Sequence, residues 1–139
     1  MNTSTVNECI LVQLPQNHQI NGKITAINTN QDISFRLARI YYLYDVPAGE
    51  DRGGHAHKNL RQLIIAASGS FDIILDDGSE KKIYSLNRPF MGILMPPGIW
   101  RELCNFSSGS ICLVLASEEY TELDYIRNYE DFLKYKKNE

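Results

Sequence analysis

Two histidines, His55 and His57, are separated by a single alanine. Alternate residues of a β-strand face the same side, so both imidazoles would point either into the fold or out of it. A neutral imidazole at pH 7 can take or give a proton, and two adjacent ones can move a proton between neighbouring atoms of a substrate. The pair therefore predicts proton transfer next to a carbonyl. The alternative is a pair of polar strand residues hydrogen-bonded to their neighbours.

The spacing around this pair, and around a second segment downstream, resembles the paired signature of the cupin barrels. That signature places both rings in the mouth of a barrel, where small ligands bind. A cupin metal site normally adds a glutamate and a further histidine, but those positions here are Gln62 and Arg101. Because a guanidinium has no lone pair to give and a carboxamide replaces a carboxylate poorly, we expect no metal and no other cofactor. The pattern consists of Gly49, His55, His57, Gln62, Gly69, Gly92, Pro96, Gly98, Arg101 and Asn105.

Three further side chains near these windows have chemical potential. Arg101 could hold a developing enolate oxygen or orient a sugar hydroxyl, or it could pair with Glu102 at the rim. Tyr41 and Tyr42 face opposite sides of one strand, so one of them should line the barrel and offer a phenol. A register slip of one residue exchanges the two, and the pattern leaves that choice open.

Basic residues cluster around the same strands. A diphosphate-bearing substrate would need two or three of them to neutralise its charge, and the alternative is that they are solvated strand ends. The glycines at 53 and 54 precede a strand rather than a helix, so a Gly-rich phosphate loop is not expected. Phosphate recognition would then come from side chains. The cluster consists of Arg36, Arg39, Arg52, Lys58 and Arg61.

Short β-branched and aromatic runs, divided by turn residues, fill the centre of the chain. Such runs indicate an antiparallel sandwich or barrel. Hairpins are signalled at residues 76–79 and 107–110, and residues 25–30 could form a further strand, entered through the turn signal at Asn21 and Gly22. The predicted strands cover residues 40–44, 62–67, 71–75, 82–86, 93–95 and 111–115.

The last part of the chain, residues 118–137, is rich in charge and tyrosine. Tyr125, Tyr129 and Phe132 are spaced like one face of a helix, which predicts a C-terminal helix or two short turns packed on the barrel. Repeats, low-complexity segments and linkers are absent from the sequence. We therefore expect residues 1–139 to form a single all-β domain, an antiparallel barrel with a short C-terminal helical segment.

Composition narrows the classes of function. The formal net charge is -3 and the pI is about 5.6, with acidic and basic residues interspersed, which argues against nucleic-acid binding. Cys9, Cys104 and Cys112 lack metal-ligand spacing and are expected to be buried free thiols, as suits a reducing cytoplasm. Neither a leader nor a membrane-spanning run is evident, so we expect a cytoplasmic protein without a membrane partner.

When these motifs are considered together, the chain closely resembles the bacterial sugar 3,4-ketoisomerases of the cupin superfamily, the WxcM-like enzymes. The similarity covers about residues 20–135. The run from Arg52 to Lys58, which reads Arg-Gly-Gly-His-Ala-His-Lys, and the Asp-Tyr-Ile-Arg-Asn-Tyr tail at 124–129 are specific in combination. The remaining matching stretches are residues 39–42, 75–78, 97–100 and 114–117.

The resemblance implies a metal-free, homodimeric jelly-roll barrel. Such an enzyme moves the carbonyl of dTDP-4-keto-6-deoxyglucose from C4 to C3 and feeds the synthesis of 3-amino-3,6-dideoxy sugars for surface polysaccharide such as lipopolysaccharide O-antigen. Carried over by position, His55, His57 and Tyr41 are the expected catalytic residues. The expected substrate-binding residues are Arg101, Asn21, Arg52, Lys58, Gln62 and Arg39.

Two positions depart from part of that family, and both bear on the product. Some members have an arginine where this chain has Asn21, and some have a histidine where it has Arg101. The arginine at 101 resembles members whose 3-keto product has the gluco configuration, which favours gluco over galacto here. Two other functions stay open, namely a dTDP-4-keto-sugar 3,5-epimerase and a non-catalytic sugar-binding cupin.

Overall fold

The computed structural model describes residues 2–138. Its longest helix has nine residues, far fewer than the roughly 20 needed to cross a bilayer, and no described helix could span a membrane. The strands are β1 (Ile10–Gln13), β2 (Asn17–Gln19), β3 (Gly22–Ile24), β4 (Arg39–Leu43), β5 (Arg52–His57), β6 (Gln62–Ser68), β7 (Phe71–Asp76), β8 (Lys81–Leu86), β9 (Met91–Met95), β10 (Trp100–Cys104), β11 (Ile111–Ala116) and β12 (Tyr125–Ile126). The helices are two 3-10 turns, Val6–Glu8 and Glu122–Asp124, and the α-helix α1 (Tyr129–Lys137).

Two five-stranded sheets make up the body of the molecule. One has the order β1-β9-β6-β11-β4 and the other β12-β5-β10-β7-β8, with antiparallel pairing throughout, while β2 and β3 form a separate hairpin. This is the expected all-β, cupin-type fold with a helical segment at its C-terminus.

The strand alternation places the core between the sheets. On β6, Ile64 belongs to the large central cluster, while Leu63 and Ile65 belong to a second cluster with Ile33 and Phe35 from the segment before β4. Neighbouring strand residues point to opposite faces, so β6 is apolar on both sides and needs cover on both. The segment before β4 supplies that cover on the outer face.

Helix α1 covers the outer face of the other sheet. Phe132 is completely buried against Ala56 of β5, Trp100 of β10 and Ile126 of β12. The helix begins after Asn128, whose side chain accepts a hydrogen bond from the Asp131 N–H at 3.0 Å. This packing holds the C-terminal segment against the strand that carries both histidines.

All six predicted strands are present, with ends that differ by at most two residues. The prediction of a strand at 25–30 is wrong, because the turn at Asn21 and Gly22 joins β2 to β3, which ends at Ile24. Tyr125 is not on the helical face with Tyr129, because it pairs with His57 in β12 and the helix begins four residues later. The cysteines are free, with Cys104 only half-buried.

Candidate active site

A cavity of about 190 Å³ opens between the two sheets. Its polar lining comes from both sheets and from the segment after β11, so the fold and not one local motif assembles it. The floor consists of Leu43, Ile64, Leu103 and Val114. The polar lining consists of Tyr41, Arg52, His55, Arg101, Tyr125 and Arg127.

The pairing of β5 with β10 brings two of these groups side by side. His55 is the cross-strand partner of Arg101, and the register then shifts, so that Leu103 pairs with Arg52. The extra residue lies in β5, where Gly53 has a φ of +79°. A glycine adopts this conformation without strain, and a Cβ there would also lie 3.4 Å from the Leu103 side chain. The glycine bulge therefore sets the side chains that flank the cavity mouth.

The two imidazoles contact each other and lie at different depths from the cavity. His55 lines the cavity, whereas His57 is only 1% exposed and lies behind it. Their Nε2 atoms are 3.2 Å apart, and the rings meet edge to face. His57 Nδ1 lies 2.9 Å from Oδ2 of Asp124, which is also buried. The group that can meet a ligand directly is thus His55.

Burial and the nearby Arg101 guanidinium lower the pKa of His55 to about 2. The same two causes lower the pKa of His57, although its contact with the Asp124 carboxylate acts in the opposite direction. Burial raises the pKa of Tyr41, and Arg101 opposes that shift. At pH 7 the cavity therefore presents a neutral imidazole and a protonated phenol.

Arg101 is a buried cation that is 2% exposed. No carboxylate among residues 2–138 forms an ion pair with it, and its Nε atom is buried without a hydrogen-bond partner. Burial lowers the pKa of Arg101, but a guanidinium stays protonated in a protein. A site built around such a charge stabilises an anion placed in the cavity.

Register decides between the two tyrosines of β4. Tyr41 is half-buried and lines the cavity, while Tyr42 is exposed on the other face. The Arg39 guanidinium lies 4.8 Å from the centre of the Tyr41 ring and donates a hydrogen bond to the Tyr125 hydroxyl at 3.4 Å. Arg39 is not among the cavity-lining residues, so it holds the two phenols from behind.

Exposed cations stand at the cavity mouth. Arg127 forms two hydrogen bonds with the Glu122 carboxylate, at 2.5 and 2.9 Å, and lies over the Tyr125 ring at 4.2 Å. Arg52 lines the same opening. Lys58 lies in an adjoining surface depression, which shares Tyr125 and Arg127 with the cavity.

Two residues expected at the site lie away from the cavity. Asn21 is exposed in the turn between β2 and β3. Gln62 is fully buried at the start of β6, and both ends of its amide lack a hydrogen-bond partner. Within residues 2–138, no three His, Cys, Asp or Glu side chains come together as a metal site would require.

Three residues at the site carry no role in the sequence reasoning above, namely Asp124, Tyr125 and Arg127. All three belong to the Asp-Tyr-Ile-Arg stretch on which the family resemblance partly rests. That stretch was the available signal, because β12 pairs with β5 and brings Tyr125 opposite His57. The tyrosine ring centre lies 4.4 Å from that of His57 and 5.0 Å from that of His55.

Comparison with known proteins decides the family. The FdtA family model, described as WxcM-like, C-terminal, matches residues 7–137. The chain belongs to this WxcM-like family. A curated relative from Aneurinibacillus thermoaerophilus, named TDP-4-oxo-6-deoxy-alpha-D-glucose-3,4-oxoisomerase, is 43% identical over 114 residues, which is 82% of each chain.

Two solved structures agree with this assignment. QdtA, a sugar 3,4-ketoisomerase from Thermoanaerobacterium thermosaccharolyticum in complex with TDP, is 38% identical, with a TM-score of 0.93 over 96% of this chain and 98% of that one. WlaRB, a TDP-quinovose 3,4-ketoisomerase from Campylobacter jejuni, is 43% identical, with a TM-score of 0.87 over 91% and 97%. The WxcM-like protein described here is an isomerase, because its relatives are 3,4-ketoisomerases.

Proposed function

We propose that the protein converts dTDP-4-keto-6-deoxyglucose to dTDP-3-keto-6-deoxyglucose by acid/base transfer through its own side chains. The observation that carries this is one cavity lined by a neutral imidazole, His55, a protonated phenol, Tyr41, and an unpaired buried guanidinium, Arg101. A base, a hydroxyl proton carrier and an oxyanion partner are the groups that an enediol mechanism requires.

The proton transfers balance within the cavity. His55 removes the C3 proton, and the electron pair forms the C3–C4 double bond of an enediolate whose oxygen at C4 is stabilised by Arg101. Tyr41 gives its proton to that oxygen and takes one from the C3 hydroxyl. A gluco product carries its C4 hydrogen on the ring face opposite to the C3 hydrogen that was lost, so the enediol turns over in the cavity before C4 is protonated. His55 then returns its proton to C4, which leaves a carbonyl at C3 and a hydroxyl at C4. No external oxidant or reductant enters the sequence.

The size of the cavity and the charges at its mouth indicate where the two ends of the substrate bind. A cavity of about 190 Å³ is smaller than the roughly 300–1,000 Å³ of sites for drug-sized ligands, so it accommodates the sugar and leaves the nucleotide outside. Arg52 and Arg127 at the mouth, with Lys58 beside them, supply the positive charge that a diphosphate needs.

The gluco configuration is supported by Arg101 and by one relative. The family resemblance connects an arginine at this position with gluco-producing members, and the 43% identical Campylobacter jejuni enzyme is named for TDP-quinovose. Quinovose is 6-deoxyglucose. A 3-keto product of this kind is a substrate for an aminotransferase, which would make a 3-amino-3,6-dideoxy sugar.

As part of this function, two copies of the chain assemble into a homodimer. Strand β4 is an edge of its sheet and presents outward-facing Ile40 and Tyr42, which are 54% and 57% exposed. Ile20, at the tip of the β2-β3 hairpin, is fully exposed. An unpaired edge with large apolar side chains is a surface that a second chain covers well.

A proton NMR time course in heavy water tests the reaction. Chelator-treated protein is mixed with dTDP-4-keto-6-deoxyglucose, and the sugar C3 and C4 signals are followed. We expect the C3 proton to disappear as a 3-keto product forms, with couplings of the gluco isomer. Exchange at C3 and C5 without carbonyl migration would indicate a 3,5-epimerase, and an unchanged spectrum despite binding would indicate a sugar-binding cupin.

A matched pair of variants tests the role of His55 in that assay. His55→Asn should cut turnover by about a hundredfold to ten-thousandfold, because it removes the base that meets the sugar. His18→Asn changes an exposed histidine of β2 and should leave turnover unchanged. Full activity of the His55 variant would refute this assignment.

A further inference from the structure

Three side chains in contact, His55, His57 and Asp124, extend from the cavity into the interior of the protein. Asp124 Oδ2 lies 2.9 Å from His57 Nδ1, and His57 Nε2 lies 3.2 Å from His55 Nε2. Asp124 and His57 are 5% and 1% exposed, so neither reaches solvent. Of these three side chains, only His55 takes part in the catalytic steps proposed above, which leaves His57 and Asp124 without a role.

These hydrogen bonds determine which ring nitrogen of each imidazole carries the proton. The Asp124 carboxylate can only accept, so His57 carries its proton on Nδ1 and has its lone pair on Nε2. The contact between the two Nε2 atoms then requires a proton on His55 Nε2. His55 therefore has its lone pair on Nδ1, and no hydrogen-bond partner for that atom is found among residues 2–138.

Asp124 is held rigidly in this position. Its Oδ1 accepts a hydrogen bond from the Asn59 N–H at 2.7 Å, and its backbone carbonyl accepts one from the Lys58 N–H at 2.9 Å. Both donors lie directly after His57 in the chain. The carboxylate and the imidazole are thus clamped to the same end of β5, which fixes their relative orientation.

We infer that Asp124 is a positioning residue that sets the tautomer of His57, and that the His57–Asp124 pair receives the proton displaced when His55 attacks the substrate. This rests on the proposed ketoisomerase function. As the C3–H bond breaks, a new N–H bond forms at His55 Nδ1, and the proton on His55 Nε2 moves to His57 Nε2. When C4 is protonated, His55 Nδ1 gives up its proton and His57 returns the other one.

Charge explains why the second proton moves. A cationic His55 would share the cavity with the Arg101 guanidinium, its cross-strand partner. Arg39, Arg101 and Arg127 all act on His57 too, but His57 is in direct contact with a carboxylate. The positive charge is therefore better placed on His57, where a hydrogen-bonded anion offsets the three cations.

Asp124→Asn should reverse the direction of both hydrogen bonds that connect these three side chains. The Asn59 N–H still needs an acceptor, so the new amide keeps its oxygen there and turns its N–H₂ towards His57 Nδ1. His57 must then carry its proton on Nε2, and His55 carries its own on Nδ1, where the substrate proton should arrive. We expect kcat to fall about a hundredfold to ten-thousandfold, with little change in KM or melting temperature.

Tyr129→Phe is the matched control. It removes a 2.6 Å hydrogen bond between the C-terminal helix and Asp76, and so loosens the same C-terminal segment without touching the histidines. We expect this variant to lose some thermal stability and keep kcat. Equal losses of kcat in both variants would mean that Asp124 merely anchors the segment, and an Asp124→Asn enzyme with wild-type kcat would overturn the inference outright.

Nitrogen-15 NMR of the imidazoles tests the tautomers in the wild-type protein without substrate, and needs no variant to fold. We expect a protonated Nδ1 on His57 and a protonated Nε2 on His55 at pH 7. The opposite tautomer on His57 would overturn the inference even if the protein isomerises its substrate. An inactive wild-type protein with the expected tautomers would instead refute the proposed ketoisomerase reaction.

Discussion

At the scale of single residues, the site combines a buried cation with neutral bases. Arg101 has no carboxylate partner among the described residues, and its charge disfavours protonation of both neighbouring imidazoles. Burying an unpaired charge opposes folding, so the arrangement is understandable only if the charge serves chemistry. Burial, together with this cation, keeps His55 unprotonated and ready to accept a proton, and the cation meets the enediolate when that forms.

Arg101→Met should separate stability from activity. The free energy of unfolding should stay equal or rise, because a buried unpaired charge is replaced by an apolar side chain of similar length. Turnover should fall about a hundredfold to a thousandfold through loss of the oxyanion partner. Urea unfolding and kcat measure the two effects. Arg88→Met, at an exposed arginine, should change neither, and an Arg101 variant with normal turnover would exclude the role proposed for it.

Thermal stability should fall as the pH drops below about 6.5. His55 stays neutral in the folded protein, with its pKa lowered to about 2, whereas the unfolded chain binds its proton below about 6.5. The stabilising effect of the neutral histidine is therefore complete above that pH and decreases at lower pH, by about 1.4 kcal/mol per pH unit. Melting temperatures measured between pH 5 and 7 should therefore decrease steadily towards pH 5.

His55→Asn should make this pH dependence weaker without abolishing it, because burial lowers the pKa of His57 as well, and His18→Asn should leave it unchanged. His18 is exposed on β2, so folding does not desolvate it. Restricting the comparison to pH 5 and above avoids the ordinary range of carboxylate titration. Identical slopes in the wild type and the His55 variant would show that this imidazole is not held neutral by the fold.

At the scale of elements, the C-terminal helix supports the strand that carries the histidines. Phe132 of α1 packs on Ala56, which lies between His55 and His57 on the opposite face of β5. Trp100 belongs to the same cluster and directly precedes Arg101. The outer face of the sheet is thus packed at the points where its inner face bears the chemistry.

Phe132→Ala should cost about 3–5 kcal/mol of unfolding free energy, because it leaves a cavity at a fully buried aromatic position. Urea unfolding monitored by Trp100 fluorescence measures the loss. Lys134→Ala changes an exposed position on the same helix and should stay within about 0.5 kcal/mol of the wild type. A small effect of the Phe132 change would mean that the helix contributes little to the stability of the sheet.

At the scale of the whole molecule, the two sheets leave their outer edges unequal. The edge strand β4 exposes Ile40 and Tyr42, and the edge strand β8 exposes Ile83 at 67% among lysines. Charged side chains commonly protect an edge from pairing, which favours β4 as the surface covered in a homodimer.

Tyr42→Lys should therefore shift the protein towards monomers, because it places a charge in the proposed contact. Light scattering after size-exclusion chromatography gives the mass directly. Ile83→Lys, on the edge strand β8 of the other sheet, should leave the dimer intact. A monomeric wild-type protein, or a dimer that dissociates only with the Ile83 change, would contradict this assignment of the interface.

Local signals in the sequence determined much of this protein. Side-chain alternation and turn residues predicted the strands, because both act over a few neighbouring residues. The sequence motif around His55 and His57, together with the Asp-Tyr-Ile-Arg tail, predicted the family. The same patterns failed at residues 25–30, where polar and β-branched residues form a loop outside the sheets.

Only the tertiary structure decided which groups meet. Tyr41 rather than Tyr42 faces the cavity because of the register of β4 against β11, which no local signal specifies. The Asp124 carboxylate reaches His57 across 67 residues of chain, since β12 pairs with β5. The order of the two imidazoles, with His55 at the cavity and His57 behind it, likewise follows from long-range strand pairing, whose contacts lie far beyond the reach of sequence periodicity.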